Sequence, residues 1–193
     1  MANNFQELLN HELADLYDAE QQILRTLPKL INAVTSPDLK RALKEHRVTT
    51  ETQVQRLNEI FGEIGKPKEE TCEGMQGLLA ESARILHEDL EPHVLDAAII
   101  GACQKVEHYE IAGYGTARAF ALHLGNERAV ELLQETLDEE KEADVLLTQV
   151  TETALDDSRG TRKPMIRIET QRREPAPTGG TQAQGSRARK SSN

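Results

Sequence analysis

The chain has 193 residues, a formal net charge of −10, 3% aromatic residues and no tryptophan. This length suits one domain with residues to spare, and the negative charge disfavours nonspecific nucleic-acid binding by the folded part. The first six residues lack the charged and then apolar pattern of a secretory signal. No apolar stretch approaches the roughly 20 residues of a spanning helix. We therefore expect a cytoplasmic protein that does not enter a membrane.

Apolar residues at three- and four-residue steps predict two long helices in the first third of the chain. Helix 1 is expected over residues 5–34 and helix 2 over residues 37–64. Ser36 can cap the second helix, and Pro37 fits its first turn. Because the break between them is so short, the two helices should be antiparallel neighbours.

The segment that follows is a long connection containing a smaller helix, expected over residues 74–89. Helix 3 is expected over residues 92–124 and helix 4 over residues 127–155, with glycine ending the first and asparagine capping the second. A hairpin, a long crossover and a second hairpin are typical of ferritin-like bundles. The sequence therefore predicts an all-α, ferritin-like antiparallel four-helix bundle over residues 1–155.

The composition changes beyond this bundle. Residues 156–193 are rich in Gly, Pro, Ser, Thr, Gln and Arg and contain few large apolar groups. Such a segment cannot bury enough apolar surface to offset the entropy of ordering the chain. It is predicted to be a disordered basic C-terminal tail.

Charged residues interrupt the apolar stripes that should face the core. Each lies three or four residues from apolar neighbours on its helix, a spacing that places it on the inward face. In chain order, they are Glu20, His46, Glu107, Glu110, Glu140 and Asp144. Burying several like charges is costly unless cations neutralise them or protons occupy most of them. Hard oxygen ligands with one imidazole suit iron or manganese, so these six residues are the candidate metal ligands.

The register of the second hairpin supports convergence. Reflection about the turn near Gly125 places Glu110 level with Glu140, and Glu107 level with Asp144. The same reflection about Ser36 places Glu20 level with residues near 51 rather than with His46. Among the charges of residues 135–142, we expect only Glu140 to point inward.

Three segments carry a resemblance to a known family, and single residues add to it. The segments are Asp18–Gln22, Val106–Ala112 and Glu139–Lys141, and the added residues are Cys72, Met75 and the pair Arg56-Leu57. Over residues 5–151 the chain resembles the YciE/YciF family of ferritin-like proteins. More distantly, its acids on helices 3 and 4 are similar to the rubrerythrin layout. The resemblance implies a di-iron or related centre, ferroxidase-type chemistry, a role in stress response and a homodimer.

The chain departs from the family's pattern on helix 2. No Glu-x-x-His occurs in the sequence, and Thr49 stands where the family has the glutamate of its His-x-x-Glu-Thr motif. The second carboxylate of that helix is therefore missing unless Glu51 reaches in from the edge.

Three functions remain open from the sequence. The first is a redox metalloprotein whose iron, or manganese, centre acts on ferrous iron, oxygen or peroxide. The second is a non-enzymatic stress or structural protein with a vestigial site, which the threonine on helix 2 favours. The third is a nucleic-acid-associated protein that contacts phosphates through its basic tail.

Overall fold

Five α-helices make up the fold in the computed structural model, which describes residues 4–65 and 69–158. They are α1 (Phe5–Ala33), α2 (Pro37–Ile64), α3 (Glu73–Ile85), α4 (Pro92–His123) and α5 (Glu127–Ser158). No strand occurs in the described ranges. The predicted all-α bundle of four long helices, with a smaller helix in the crossover, is confirmed.

Capping side chains and glycines that are visible in the sequence set the helix ends. The Ser36 hydroxyl accepts a hydrogen bond from the main-chain N–H of Leu39, and the Asn126 side chain accepts one from that of Ala129. Gly65 and Gly125 end α2 and the α4 region with φ angles of +88° and +72°. Only glycine adopts this left-handed backbone without steric cost, so both positions stop their helices.

All four neighbouring pairs of long helices run antiparallel. The start of α1 packs with the end of α4, and the end of α2 packs with the start of α5. The two helices joined by the crossover, α2 and α4, are consequently parallel. The chain must travel the length of the bundle between them, and α3 covers about 20 Å of that path.

A polar layer at mid-height divides the core into two apolar clusters. One cluster contains Leu9, Leu13, Leu57, Tyr114 and Leu133, and the other contains Ile23, Leu43, Ile100, Cys103 and Leu147. Between them, on all four long helices, lie buried polar side chains. They are Glu20, Thr50, Gln53, Glu107, Glu110, Thr136 and Glu140. The apolar clusters therefore hold the helices together on both sides of the layer.

Two helix ends differ from the sequence-based expectation. The smaller helix ends at Ile85 rather than residue 89. The next turns are closed by hydrogen bonds that span three residues instead of four, such as His87 N–H to Arg84 O, and Pro92 follows soon after. The last helix continues to Ser158, beyond the expected residue 155. The rest of the predicted tail, residues 159–193, lies outside the described residues. None of the described helices has the length and apolarity needed to cross a membrane.

Candidate metal centre

The polar layer brings together side chains from three helices. His46 of α2, Glu107 and Glu110 of α4, and Glu140 of α5 each offer a ligand atom, and these atoms all lie within 4.8 Å of one another. The three glutamates are at most 2% exposed. Nε2 of His46 lies 3.7 Å from Oε1 of Glu107. Four of the six predicted ligands therefore converge, although ligation itself stays a prediction.

Glu20 of α1 extends this group from the fourth long helix. Its side chain is fully buried and accepts a hydrogen bond from the hydroxyl of Tyr114, which is also fully buried. Glu110 and Glu140 are close enough to interact with it electrostatically. Tyr114 fixes one oxygen of Glu20, and the other oxygen has no hydrogen-bond donor.

The last predicted ligand, Asp144, lies at the edge of the layer. Its Oδ1 accepts a hydrogen bond from Gln104 at 3.2 Å and lies 3.5 Å from Nε2 of the exposed His108. It is near enough to Glu107 to act on it electrostatically, as the predicted register required, but it does not join the group of converging ligand atoms. Glu51 pairs with Arg47 on the surface, so it does not supply the missing carboxylate of α2.

Gln53 is a neutral residue of α2 that lies in the polar layer beside Glu140. This residue is 1% exposed, and its amide donates hydrogen bonds to Glu140 and, at 3.2 Å, to Glu139. We did not predict this role, although the stripe formed by Thr50, Gln53 and Leu57 was the available signal. The neutral amide of Gln53 therefore fixes one oxygen of Glu140, as the Tyr114 hydroxyl does for Glu20.

Arg56 forms a clamp beside the layer. Its guanidinium donates to both oxygens of Glu139, at 2.6 and 2.7 Å, and lies 3.2 Å from Glu135. We expected only Glu140 among these acids to point inward, yet Glu139 is half-buried against the arginine. Because the clamp uses Glu139, the nearest guanidinium does not pair with Glu140.

The decisive feature is a set of buried acceptors without donors. Five carboxylate oxygens in the described part of the chain have neither solvent access nor a hydrogen-bond donor. They are Glu20 Oε2, Glu107 Oε2, both oxygens of Glu110, and Glu140 Oε2. No lysine or arginine in those ranges pairs with any of these four acids. Buried polar atoms normally have partners, so this site requires protons or a multivalent cation.

Electrostatics favours protons on Glu20, Glu107 and Glu110 when no cation is present. Burial raises the pKa of Glu20, Glu107 and Glu110 well above the usual range of a glutamate. The neighbouring Glu140 raises the pKa of Glu20 and Glu107 further, and Glu20 does so most for Glu110. A divalent ion reverses this effect, because its charge favours the ionised carboxylates that bind it.

The crossover is fastened to the same helices that carry the acids. The Tyr109 hydroxyl donates to Asp15 at 2.7 Å, and the Cys72 thiol donates to the same carboxylate at 3.1 Å. Close packing here depends on Gly74, because a Cβ on it would lie 2.7 Å from Cε2 of Tyr109. Both cysteines are buried free thiols. Burial raises the pKa of Cys72 to about 11 and that of Cys103 to about 12, so both are unreactive protonated thiols near neutral pH.

A comparison with protein families matches residues 4–158 to a family described as a domain of unknown function, DUF892. The chain belongs to this family. It is 40% identical over 147 residues to protein YciF of Escherichia coli K12, covering 75% of this chain and 89% of that protein. The predicted resemblance is thereby confirmed.

Solved structures of similar proteins agree with the fold. The crystal structure of the E. coli stress protein YciF matches with a TM-score of 0.78 and 36% identity, over 80% of this chain and 99% of that one. YcfI of Rhodopseudomonas palustris, whose proposed role is structural, matches with a TM-score of 0.73 and 42% identity, over 76% and 94%. A protein of Xanthomonas campestris at 18% identity shares the fold, with a TM-score of 0.65.

Proposed function

We propose that this protein binds two divalent metal ions in its central polar layer and that, with iron, it performs ferroxidase-type or peroxide-handling chemistry. The supporting observation is the set of five buried carboxylate oxygens without donors. Glu20, Glu107, Glu110 and Glu140 carry four negative charges when ionised, and two divalent ions neutralise that charge. With His46 they form an oxygen-rich set with one imidazole, which suits iron or manganese.

The protein's own residues would prepare the site for this chemistry. The hydroxyl of Tyr114 and the amide of Gln53 each fix one oxygen of an acid, which leaves the second oxygen directed into the layer. The apolar clusters above and below exclude bulk water and keep the carboxylates converged. When bound, a pair of redox-active metal ions would supply Lewis acidity and electrons for reducing oxygen or peroxide.

A similar protein with a stated role supports a proposal for the biological setting. The relative from E. coli is described as a stress protein, and it covers most of this chain. We infer a cytoplasmic role in stress response for this protein too, in which removing ferrous iron or peroxide would limit oxidative damage.

A second candidate function is structural, and one specific observation favours it. On α2 the layer contains Thr50 and Gln53, with Thr49 alongside, where a ferritin-type site would have a further carboxylate. The R. palustris relative has a proposed structural role. In this alternative the metal site would bind ions without turning over a substrate.

One experiment separates these functions. Metal-free protein is titrated with ferrous iron under argon, and the oxidation rate is then followed after adding air or hydrogen peroxide. We expect two ions per chain and oxidation at least about tenfold faster than in buffer. Glu110→Gln should lose both the two-ion binding and the faster oxidation, whereas Glu63→Gln, at an exposed position, should behave as wild type. Binding with oxidation at the buffer rate would support the structural role, and absence of binding would refute a metal centre.

A further inference from the structure

A cleft between α2 and α5 leads from the surface to the polar layer. It has a volume of about 250 Å³, which is room for several water molecules. At its inner end lie His46 and Glu107, and its walls include the small side chains Ala42 and Ala143. Because these alanines are short, α2 and α5 leave a gap there that larger side chains would fill.

The charge along this cleft is of one sign. Its outer part carries the exposed carboxylates of Glu45 and Glu142, and Glu139, whose charge is paired with Arg56, lies in its wall. No lysine or arginine lines it, and neither of the two exposed acids has a cationic partner in the part of the chain that the structure describes. A cleft lined by one sign of charge between low-dielectric walls concentrates counter-ions and speeds their association.

The inner end of the cleft has an unpartnered ligand atom. Glu107 is 2% exposed, it lines the cleft, and its Oε2 has no hydrogen-bond donor. His46 lines the same end, and 12% of its side-chain surface is exposed. Of the converging acids, Glu110 and Glu140 do not line the cleft. An ion in the cleft therefore meets His46 and Glu107 before it reaches the other ligands.

We propose that this cleft is the route by which hydrated divalent cations reach the polar layer, with Glu45 and Glu142 attracting the ion and His46 and Glu107 receiving it. The proposal rests on the metal site proposed above and assigns the outer acids a kinetic role. They raise the rate of metal binding without belonging to the final set of ligands. Their effect should be strong at 10 mM salt, where the Debye length is about 30 Å, and weak at 150 mM, where it is about 8 Å.

The test measures how fast metal-free protein binds Co²⁺. Because the chain has three tyrosines and no tryptophan, quenching of tyrosine fluorescence in a stopped-flow instrument reports binding directly. In the double variant Glu45→Gln/Glu142→Gln, we expect the association rate to fall about tenfold at 10 mM salt and much less at 150 mM. The number of ions bound at equilibrium should not change.

Two further variants make the result specific. The double variant Glu63→Gln/Glu152→Gln makes the same charge change at exposed positions of α2 and α5 outside the cleft, and it should bind at the wild-type rate. Ala143→Phe narrows the cleft and should slow binding at both salt concentrations, whereas Ala83→Phe on the exposed face of α3 should not.

The outcomes separate this route from the site itself. If wild-type protein binds Co²⁺ and the cleft variants bind as fast as their controls, the route is refuted and the metal site stands. If the two glutamine double variants slow binding equally, only the net charge of the protein matters, and the route is again refuted. If wild-type protein binds no Co²⁺, both proposals fail.

Discussion

Glu140 shows how a single acid can be tested as a ligand. Its Oε1 accepts a hydrogen bond from Gln53, and its buried Oε2 has no donor. Replacing it with alanine should weaken metal binding by more than the roughly 10–100-fold that loss of an outer-shell partner costs. In the metal-free protein it should cost less than the loss of a buried ion-pair member would, because it also removes the repulsion by which Glu140 raises the pKa of Glu20 and Glu107. Urea unfolding of both proteins, with and without ferrous iron, measures these effects.

The competing role for Glu140 makes the opposite prediction. If it formed an internal ion pair, its removal would leave a buried cation and cost about 3–5 kcal/mol without metal. The structure places Arg56 on Glu139 and Glu135 instead. Equal stabilisation of wild type and Glu140→Ala by ferrous iron would show that Glu140 is not a ligand.

Gln53 offers a substitution that adds a ligand rather than removing one. In Gln53→Glu a further carboxylate would be buried beside Glu140 and Glu139. We expect the metal-free variant to be less stable than wild type near pH 8, by about 1–3 kcal/mol, because a donor is lost and a charge is gained. Manganese should restore more stability to the variant than to wild type. Calorimetry with and without Mn²⁺ measures both values.

The acids of the layer were predictable from the sequence because helical spacing alone places them. Glu20, Glu107, Glu110 and Glu140 each stand in an otherwise apolar stripe, and the structure buries all four. Spacing did not reveal the roles of Gln53 and Asp144. A buried glutamine resembles any polar residue in a sequence, and the aspartate's direction depends on contacts with Gln104 and His108.

At the scale of elements, one buried aspartate joins the two hairpins of the bundle. Asp96 near the start of α4 is 4% exposed and accepts three hydrogen bonds of 2.8 Å. The donors are the N–H and hydroxyl of Thr35 and the N–H of Ser36, which form the turn between α1 and α2. Asp96 therefore fixes that turn against the start of α4, which sets the register of the acids on different hairpins.

Loss of the Asp96 hydrogen bonds should measurably lower the free energy of unfolding. Asp96→Ala leaves two main-chain N–H groups without their acceptor, and hydrogen bonds to charged groups are individually strong. We expect a loss of about 2–4 kcal/mol in the free energy of unfolding. The exposed Glu88→Gln, near the same end of α4, should change stability by less than about 0.5 kcal/mol. A difference of under 1 kcal/mol between the two variants would show that the link is not structural.

The sequence predicted the elements better than their connections. Caps and apolar periodicity set the bounds of α1, α2 and α4, which match the expectation to within one residue. The contacts of the crossover could not be predicted, because Asp15, Cys72 and Tyr109 lie far apart in sequence and meet only through tertiary packing. Asp96 is similar, since its partners are 60 and 61 residues away.

At the scale of the whole molecule, the bundle has its apolar core in two parts with an acid layer between them. The apolar clusters can stabilise the fold without metal, but Glu20, Glu107 and Glu110 within the layer then favour their protonated forms. Metal ions and protons should therefore compete for the same oxygens, so that metal binding releases protons and strengthens as the pH rises. Metal content thus becomes part of the free energy of folding.

This competition gives the metal-free protein a specific pH dependence. The pKa of Glu110 is raised above the unfolded value of about 4.3, so the folded protein holds that proton more tightly. Its contribution to stability is fully present below about pH 4.3 and is lost as the pH rises towards the folded pKa.

The variant Glu110→Gln tests this pH dependence, because glutamine resembles the protonated acid and does not titrate. Without metal its stability relative to wild type should therefore increase from pH 4.5 to pH 8, by about 1.4 kcal/mol per unit of raised pKa. Ferrous iron at pH 8 should reverse the order, because only wild type keeps the ligand. Urea unfolding across this range tests the argument, and a constant difference between the two proteins would show that Glu110 is ionised throughout.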